Sequence, residues 1–165
     1  MKTPIRRLHT MQPVRVAIAE DHKIFRKGII LSMQPYPNIQ FVAEAANGQE
    51  LIAQLNNESL PEVVLMDIRM PGMDGIETTK YLSSHYPQVH VICLTMFEDR
   101  QFVDEMIASG ARAYLLKNAE PKEINSAIIE VMTGDHKHST IVNSISFNKN
   151  LLHNTGRSGS ASQGW

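Results

Sequence analysis

The stretch that decides the fold is V-V-L-M-D-I-R-M-P-G-M-D-G, residues 63–75. It begins as an apolar, β-branched run of the kind expected for a strand that is buried on both faces. The run stops at a carboxylate, Asp67, and a turn-forming sequence with one proline and two glycines follows. A carboxylate at the end of a buried strand is typical of ligand sites in α/β folds. Taken alone, the pattern fits equally well a side chain that caps the next helix.

The composition limits the class of protein. The chain has 165 residues, 42% of them hydrophobic, which is enough for one domain with a sizeable core and some tail. No apolar run approaches the roughly 18–20 residues of a membrane span, and residues 1–13 contain no apolar segment of a secretory signal. The single cysteine, Cys93, lies in an apolar run, so we expect no disulfides and a cytoplasmic location.

The charge is distributed unevenly along the chain. Residues 14–133 carry 10 Lys and Arg against 16 Asp and Glu, although the whole chain has a net charge of only −1. An acidic domain repels the phosphate backbone of nucleic acids. We therefore expect this chain not to bind DNA specifically by itself.

Short apolar runs alternate with helical patterns along the sequence. The apolar runs predict five strands, at 14–19, 39–45, 63–66, 89–95 and 113–116. A helical pattern follows each strand, at 22–33, after Asn47-Gly48, and at 76–84, 99–109 and 120–133. Apolar residues three and four apart mark the inward faces of these helices: Phe25, Ile29 and Met33; Leu51, Ile52 and Leu55; Val103, Met106 and Ile107; and Ile124, Ala127, Ile128 and Val131.

Five βα units in about 120 residues predict an α/β fold, a single doubly wound (βα)5 domain. Strict alternation with short loops requires a parallel sheet that is covered on both faces. Five-stranded sheets of this kind commonly have the strand order 2-1-3-4-5. We place the domain at residues 14–133, with a flexible N-terminal segment at 1–13. Residues 134–165 are expected to be a linker or tail, disordered or left from cloning, without a helix-turn-helix output domain.

Polar groups follow four of the predicted strands, at Glu20-Asp21, Asp67, Thr95 and Lys117. In the order 2-1-3-4-5 the three carboxylates converge, and each pair then repels by roughly 1–4 kcal/mol. Either one carboxylate is protonated or a cation lies among them. Ligands that offer only oxygen favour Mg²⁺, while a lysine and a threonine bind oxygens of an anion. The set fits a phosphoryl group on a carboxylate better than it fits helix capping.

At these residues the chain resembles a response regulator receiver domain of two-component signalling, the fold of the chemotaxis regulator CheY. It is most similar to the NarL/FixJ/LuxR class of transcriptional regulators. The resemblance is carried by V-R-V-A-I-A-E-D-H, D-I-R-M-P-G-M-D-G-I-E and G-A-R-A-Y-L-L-K, with Thr95 between the last two. It covers residues 14–133, about three quarters of the chain.

The resemblance implies a role for each residue of the acidic site. Asp67 matches the phosphoacceptor and is also a ligand of the metal. Glu20 and Asp21 match the acidic pair that holds Mg²⁺, together with the backbone carbonyl of Arg69. The family's partner is a sensor histidine kinase, which supplies the phosphoryl group, and the receiver catalyses only its own phosphorylation and dephosphorylation.

The resemblance also implies a switch. Lys117 matches the lysine that binds the phosphoryl group, and Thr95 matches the hydroxyl that turns toward it. Tyr114 matches the aromatic residue that changes rotamer on activation. In this class activation commonly leads to a homodimer, and DNA is bound through an output domain that we do not find in this sequence. No membrane partner is implied.

Some alternatives remain. An FMN carrier shares the sheet, but its phosphate loop should be rich in Ser, Thr and Gly, where this chain has the acids Glu20 and Asp21. An aspartyl phosphatase would usually have a second acid at position 69, which is Arg. A stand-alone receiver that acts by protein–protein interaction stays open. One departure from the family is Asn118, where many receivers have proline. The bond before it is usually cis in receivers, and the sequence does not decide its state here.

Overall fold

A computed structural model describes residues 12–134 of the chain. These residues contain five strands: β1 Val14–Ala19, β2 Ile39–Ala45, β3 Val63–Asp67, β4 His90–Thr95 and β5 Ala113–Leu116. They also contain five α-helices: α1 Lys23–Ser32, α2 Gly48–Gln54, α3 Gly75–His85, α4 Val103–Ala108 and α5 Pro121–Thr133. A 3₁₀ segment, Phe97–Phe102, lies between β4 and α4.

The strands form one parallel sheet in the order β2-β1-β3-β4-β5. This confirms the predicted fold class and strand order. All five residues of β3 are buried, because the strand lies at the centre of the sheet and helices cover both faces. The strand therefore delivers Asp67 from the buried centre of the sheet to the edge where the strands end.

The predicted inward faces pack against this sheet. On α5, Ile124, Ala127, Ile128 and Val131 are all buried, as their spacing predicts. On α1, Ile29 is buried and Phe25 is partly buried against the core, and Met33, directly after the helix, is buried as well. The helix ends lie within about two residues of the predicted ends, except at the start of α4.

The prediction of one helix over 99–109 is wrong in its first half. Residues 97–102 form the 3₁₀ segment, and regular α-helix begins only at Val103. No side chain of the 3₁₀ segment is buried, whereas Val103 and Met106 are. Because α-helices in proteins are stabilised mainly by an apolar face that packs on the core, this polar stretch has little to hold it in α geometry.

The loop that follows β3 is fixed by the start of α3. Asp74 accepts a hydrogen bond from the Glu77 amide at 2.9 Å, and the Glu77 carboxylate accepts one from the Asp74 amide at 3.3 Å. This reciprocal cap confirms Asp74 as the N-cap of α3. The Gly75 amide donates to the Ile68 carbonyl at 2.8 Å, which closes the loop against the end of β3.

The ends of the chain lie almost entirely outside the described residues. The predicted flexible segment at 1–13 and the predicted tail at 134–165 therefore stay predictions. Gly134, the last described residue, adopts the left-handed conformation that commonly ends a helix (φ 69°). Within residues 12–134 none of the helices has the length and apolar character that crossing a membrane requires.

Gly75 should tolerate no larger residue. A Cβ at Gly75 would lie 1.9 Å from the Asp67 carbonyl oxygen, whereas a Cβ at Gly28, within α1, would meet no atom within 4 Å. Gly75→Ala should lower the free energy of unfolding by about 1–3 kcal/mol, and Gly28→Ala should raise it by about 0.5–1 kcal/mol. Urea unfolding of both variants tests this, and equal effects would contradict the packing described at Gly75.

Candidate functional site

The sheet brings the predicted polar residues to one edge. β1 and β4 flank β3, with Ala19 opposite Met66 and Leu94 opposite Asp67. Glu20, which follows Ala19, therefore lies beside Asp67. Thr95 follows Leu94, the β4 residue opposite Asp67. The structure thus brings together the residues that sequence reasoning placed at the strand ends.

Lys117 completes this group from the end of β5. Its amide donates to the Thr95 carbonyl at 2.9 Å, which ties the ends of β4 and β5 together. Its ammonium lies 3.1 Å from Asp67 Oδ1 and 2.8 Å from Glu20 Oε2. The contact with Glu20 is close enough for an ion pair but lacks the geometry of a hydrogen bond. One cation thus lies between two carboxylates.

The side chain of Glu20 is fully buried, at 0% exposure, and several contacts hold it in place. Its Oε1 accepts a hydrogen bond from the His22 amide at 3.1 Å and lies 3.1 Å from His22 Nδ1. Its backbone carbonyl accepts a hydrogen bond from Arg26 Nη1 at 2.6 Å. These contacts fix the carboxylate in position, so that the cost of its burial is offset within the site.

The buried charges shift the pKa values of the site. Asp67 is 4% exposed, and burial raises the pKa of its carboxyl to about 7, aided by the negative charges of Glu20 and Asp21 against the opposing charge of Lys117. Burial would lower the pKa of Lys117, but the nearby carboxylates of Glu20 and Asp67 outweigh this and raise it. The site therefore holds more negative charge than its single lysine compensates.

The residues present fit a divalent cation. Glu20, Asp21 and His22 each offer one ligand atom, and these atoms lie within 4.8 Å of one another. Asp21 Oδ1 is buried without a hydrogen bond, and Glu20 Oε2 has only the ion pair with Lys117; such oxygens suit a hard ion. Asp67 is not in this tight cluster. His22 was missed by the sequence reasoning, although its place next to the acidic pair was a usable signal.

Arg69 lies at the rim of an adjoining cleft of about 420 Å³, which Asp21 and Phe102 also line. Its Nε lies 2.9 Å from Asp99 Oδ1, and its guanidinium carbon lies 4.9 Å from the centre of the Phe102 ring. The sequence predicted a role only for its backbone carbonyl, and that role stays a prediction.

The two expected switch residues are both buried. The Thr95 hydroxyl donates to the carbonyl of Met96 at 2.9 Å. Tyr114 lines a cleft of about 560 Å³ between β5 and α5. The described residues contain no cis peptide bond, so the bond between Lys117 and Asn118 is trans, unlike that of many receivers.

A parallel sheet in the order 2-1-3-4-5 that gathers acids, a hydroxyl and a lysine at one edge defines a signalling domain of the receiver type. The chain belongs to the response regulator receiver domain family, whose profile matches residues 16–129. The resemblance found in the sequence is therefore confirmed, and the chain contains a receiver domain of two-component response regulators.

Individual relatives place the chain near transcriptional regulators. It is 38% identical over 124 residues to the transcriptional regulatory protein LiaR of Bacillus subtilis, covering 75% of this chain and 58% of LiaR. It is similar to the signal receiver domain of NarL from Mycobacterium tuberculosis, with 31% identity, a TM-score of 0.67, and coverage of 75% of this chain and 99% of that one. The chain spans between about half and three-fifths of the length of the curated relatives it matches.

Two structures of RcsB are further structural relatives, each at 28% identity and a TM-score of 0.67. One RcsB structure is of the isolated receiver domain of Salmonella enterica serovar Typhimurium with the phosphomimetic BeF3⁻, and covers 75% of this chain and 91% of that one. Another describes two RcsB dimers bound to two parallel DNAs, and covers 75% of this chain and 62% of that one.

The buried Asp67 should make the metal-free protein less stable as the pH rises. Its pKa is raised above the unfolded value of about 4, so its protonated form stabilises the fold fully below about pH 4, and this contribution is lost as the pH rises toward 7. Asp67→Asn should raise the free energy of unfolding by about 1–3 kcal/mol at pH 8 in EDTA, and by less near pH 4.

Urea unfolding at both pH values measures this difference. The exposed acid Asp104 of α4 supplies the control, because Asp104→Asn should change stability little at either pH. If Asp67→Asn had the same free energy of unfolding as the wild type at pH 8, the claim that ionised Asp67 destabilises the metal-free fold would be refuted.

Proposed function

We propose that this chain is the phospho-accepting receiver of a two-component system, and that Asp67 takes the phosphoryl group from a sensor histidine kinase. The observation that carries the proposal is the placement of the Lys117 ammonium between Glu20 and Asp67, beside the buried oxygen Asp21 Oδ1, which accepts no hydrogen bond. Such a group can hold a metal ion and a phosphoryl group side by side.

The chemistry asks little of the protein beyond positioning and charge compensation. An oxygen of the Asp67 carboxylate forms the bond to phosphorus, and the bond from phosphorus to the nitrogen of the donor imidazole breaks. The electron pair of that bond stays on the imidazole, which takes up a proton. A magnesium ion held by Glu20, Asp21, Asp67 and the carbonyl of Arg69 would neutralise charge at the site. The Lys117 ammonium, already beside Asp67, binds a phosphoryl oxygen.

The switch would operate through Thr95 and Tyr114. The Thr95 hydroxyl now donates to the Met96 carbonyl, and phosphoryl oxygens on Asp67 would offer it a stronger, charged acceptor. When the Thr95 hydroxyl turns toward them, its hydrogen bond to Met96 breaks and space opens near Tyr114. Tyr114 lies on β5, two residues before Leu116, the residue opposite Thr95. Phosphorylation would thus bias a two-state surface around β4 and β5.

The whole protein would be a cytoplasmic transcription regulator. LiaR is named a transcriptional regulator, and RcsB has been described as dimers bound to DNA. By analogy we propose a homodimer on activation and DNA binding through an output domain outside residues 12–134. We propose that the receiver catalyses only its own phosphorylation and dephosphorylation. A stand-alone receiver that acts through protein partners is the alternative.

Phosphorylation should depend on one carboxylate. Incubation with acetyl phosphate and Mg²⁺ should add one phosphoryl group to the wild type and to Asp104→Asn, as seen in the intact mass. Asp67→Asn should gain none, because an amide is a much weaker nucleophile than a carboxylate. Omission of Mg²⁺ should slow the reaction of the wild type by a factor of at least about 10, since the excess negative charge then repels the donor.

This assignment has a clear contrary result. If Asp67→Asn gained one phosphate at the wild-type rate, the nucleophile would be a different residue. If the wild type gained none with any small phosphodonor while it still bound Mg²⁺, the domain would be a binding module without phosphorylation.

Thr95 should be needed for transmission rather than for acceptance. Thr95→Ala should still be phosphorylated, but light scattering should show no dimer with beryllofluoride, because no hydroxyl remains to follow the phosphoryl oxygens. Thr95→Ser keeps the hydroxyl and should dimerise like the wild type. Equal dimerisation of Thr95→Ala and the wild type would remove Thr95 from the switch, and a wild type that stays monomeric would refute dimerisation by this chain.

A further inference from the structure

The side chain of Arg69 is ordered by two residues from a different part of the chain. Arg69 is 63% exposed, yet its Nε lies 2.9 Å from Asp99 Oδ1, and its guanidinium lies over the ring of Phe102 at 4.9 Å. Both partners belong to the 3₁₀ segment. The loop after β3 is thus joined to the segment after β4 by one arginine.

An exposed ion pair by itself contributes little to stability. This one is better organised than most, because the Asp99 side chain is only 19% exposed and the guanidinium also lies over the ring of Phe102. Both contacts restrict the same side chain, so once one of them has formed, the other costs less conformational entropy. We therefore treat the three side chains together, and call Arg69, Asp99 and Phe102 the latch.

The latch borders a cleft that reaches the acidic site at Asp21. Arg69 follows Asp67 by two residues, and Arg69, Phe102 and Asp21 line the same cleft of about 420 Å³. On the other side, the 3₁₀ segment begins two residues after Thr95. The latch therefore connects the loop that carries the expected carbonyl ligand of the metal with the segment that follows the expected switch hydroxyl.

We propose that Arg69 is a positioning residue whose side chain, held by Asp99 and Phe102, fixes the loop after β3 so that the carbonyl of residue 69 faces the metal site. The inference deepens the proposed function and rests on it. The side chain of Arg69 does not itself bind the metal. It acts through the backbone of its own loop, as outer-shell groups do when they orient ligands.

Electrostatics without positioning would give a different pattern of effects. Removal of the positive charge of Arg69 near a cation site should strengthen Mg²⁺ binding, and removal of the negative charge of Asp99 should weaken it. The two changes together would nearly cancel. If the latch positions the loop, both single variants weaken binding, and the double variant is no weaker than Arg69→Ala, because Arg69→Ala already breaks both contacts of the latch.

The experiment is a calorimetric titration of Mg²⁺ into the full chain. Arg69→Ala, Asp99→Ala and the double variant should each bind Mg²⁺ about tenfold more weakly than the wild type, the lower end of the range for outer-shell groups. Arg69→Lys keeps the charge but not the planar fork, and should fall between Arg69→Ala and the wild type.

Arg100 provides the matched control. It belongs to the same 3₁₀ segment and its guanidinium also lies over an aromatic ring, that of Phe97 at 4.5 Å, but it does not line the cleft. Arg100→Ala should bind Mg²⁺ like the wild type. Thermal unfolding monitored by circular dichroism should show that all variants are folded before titration.

The possible outcomes separate this inference from the proposed function. If the wild type binds Mg²⁺ and is phosphorylated while Arg69→Ala binds Mg²⁺ as tightly or more tightly, the positioning role is overturned and the function stands. A double variant with wild-type affinity would likewise overturn it. If the wild type neither binds Mg²⁺ nor accepts a phosphoryl group, the proposed function itself fails.

Discussion

The site depends on one constraint, which is that two carboxylates share a single ammonium at a buried edge of the sheet. Lys117 lies between Glu20 and Asp67, and Glu20 has no exposure to solvent that could screen its charge. In a region of low dielectric this arrangement is stable only if the charges are nearly compensated. One lysine does not achieve this, and burial together with the negative charges of Glu20 and Asp21 raises the pKa of Asp67. Either a bound cation or the protonation of one carboxyl compensates the excess negative charge, and a receiver can use the cation.

The rest of the domain serves to hold that group in place. The order β2-β1-β3-β4-β5 sets Asp67 between the ends of β1 and β4, and the amide of Lys117 is bonded to the carbonyl of Thr95. Gly75 lets α3 begin directly against the backbone of Asp67, where a methyl group would not fit. The strand ends therefore supply the charged groups, while the loops after β3 and β4 border the site. This division is common among sites in open α/β sheets.

The sequence predicts most of this fold because its signals are local and consistent. Buried strands such as β3 are continuous apolar runs, and the buried positions of α5 recur with helical spacing, so each element and its inward face can be read directly. The positions of Glu20, Asp67 and Lys117 then follow from the strand order. The match to receiver motifs predicted the roles of these residues, and the fold and the family are both confirmed.

Other features depend on contacts that no local pattern encodes. The sequence predicts α-helix from residue 99, where the 3₁₀ segment lies, because the lack of a buried face in that segment is known only once the core is in place. Arg69 and Asp99, which form an ion pair, are 30 positions apart in sequence. The hydrogen bond from Thr95 to the Met96 carbonyl depends on which rotamer the threonine adopts, and the sequence does not show this. His22 could have been included from its position after the acidic pair, but its approach to Glu20 and Asp21 is a matter of geometry.

The account is tested most directly by the titration of Asp67 itself, followed by NMR of its side-chain carboxyl carbon. In the metal-free protein the carboxyl should titrate near pH 7, and saturating Mg²⁺ should move its midpoint to lower pH because the cation favours the ionised form. A carboxyl that titrates in its ordinary range near pH 4, and whose midpoint Mg²⁺ does not move, would contradict the claim that uncompensated buried charge organises this site.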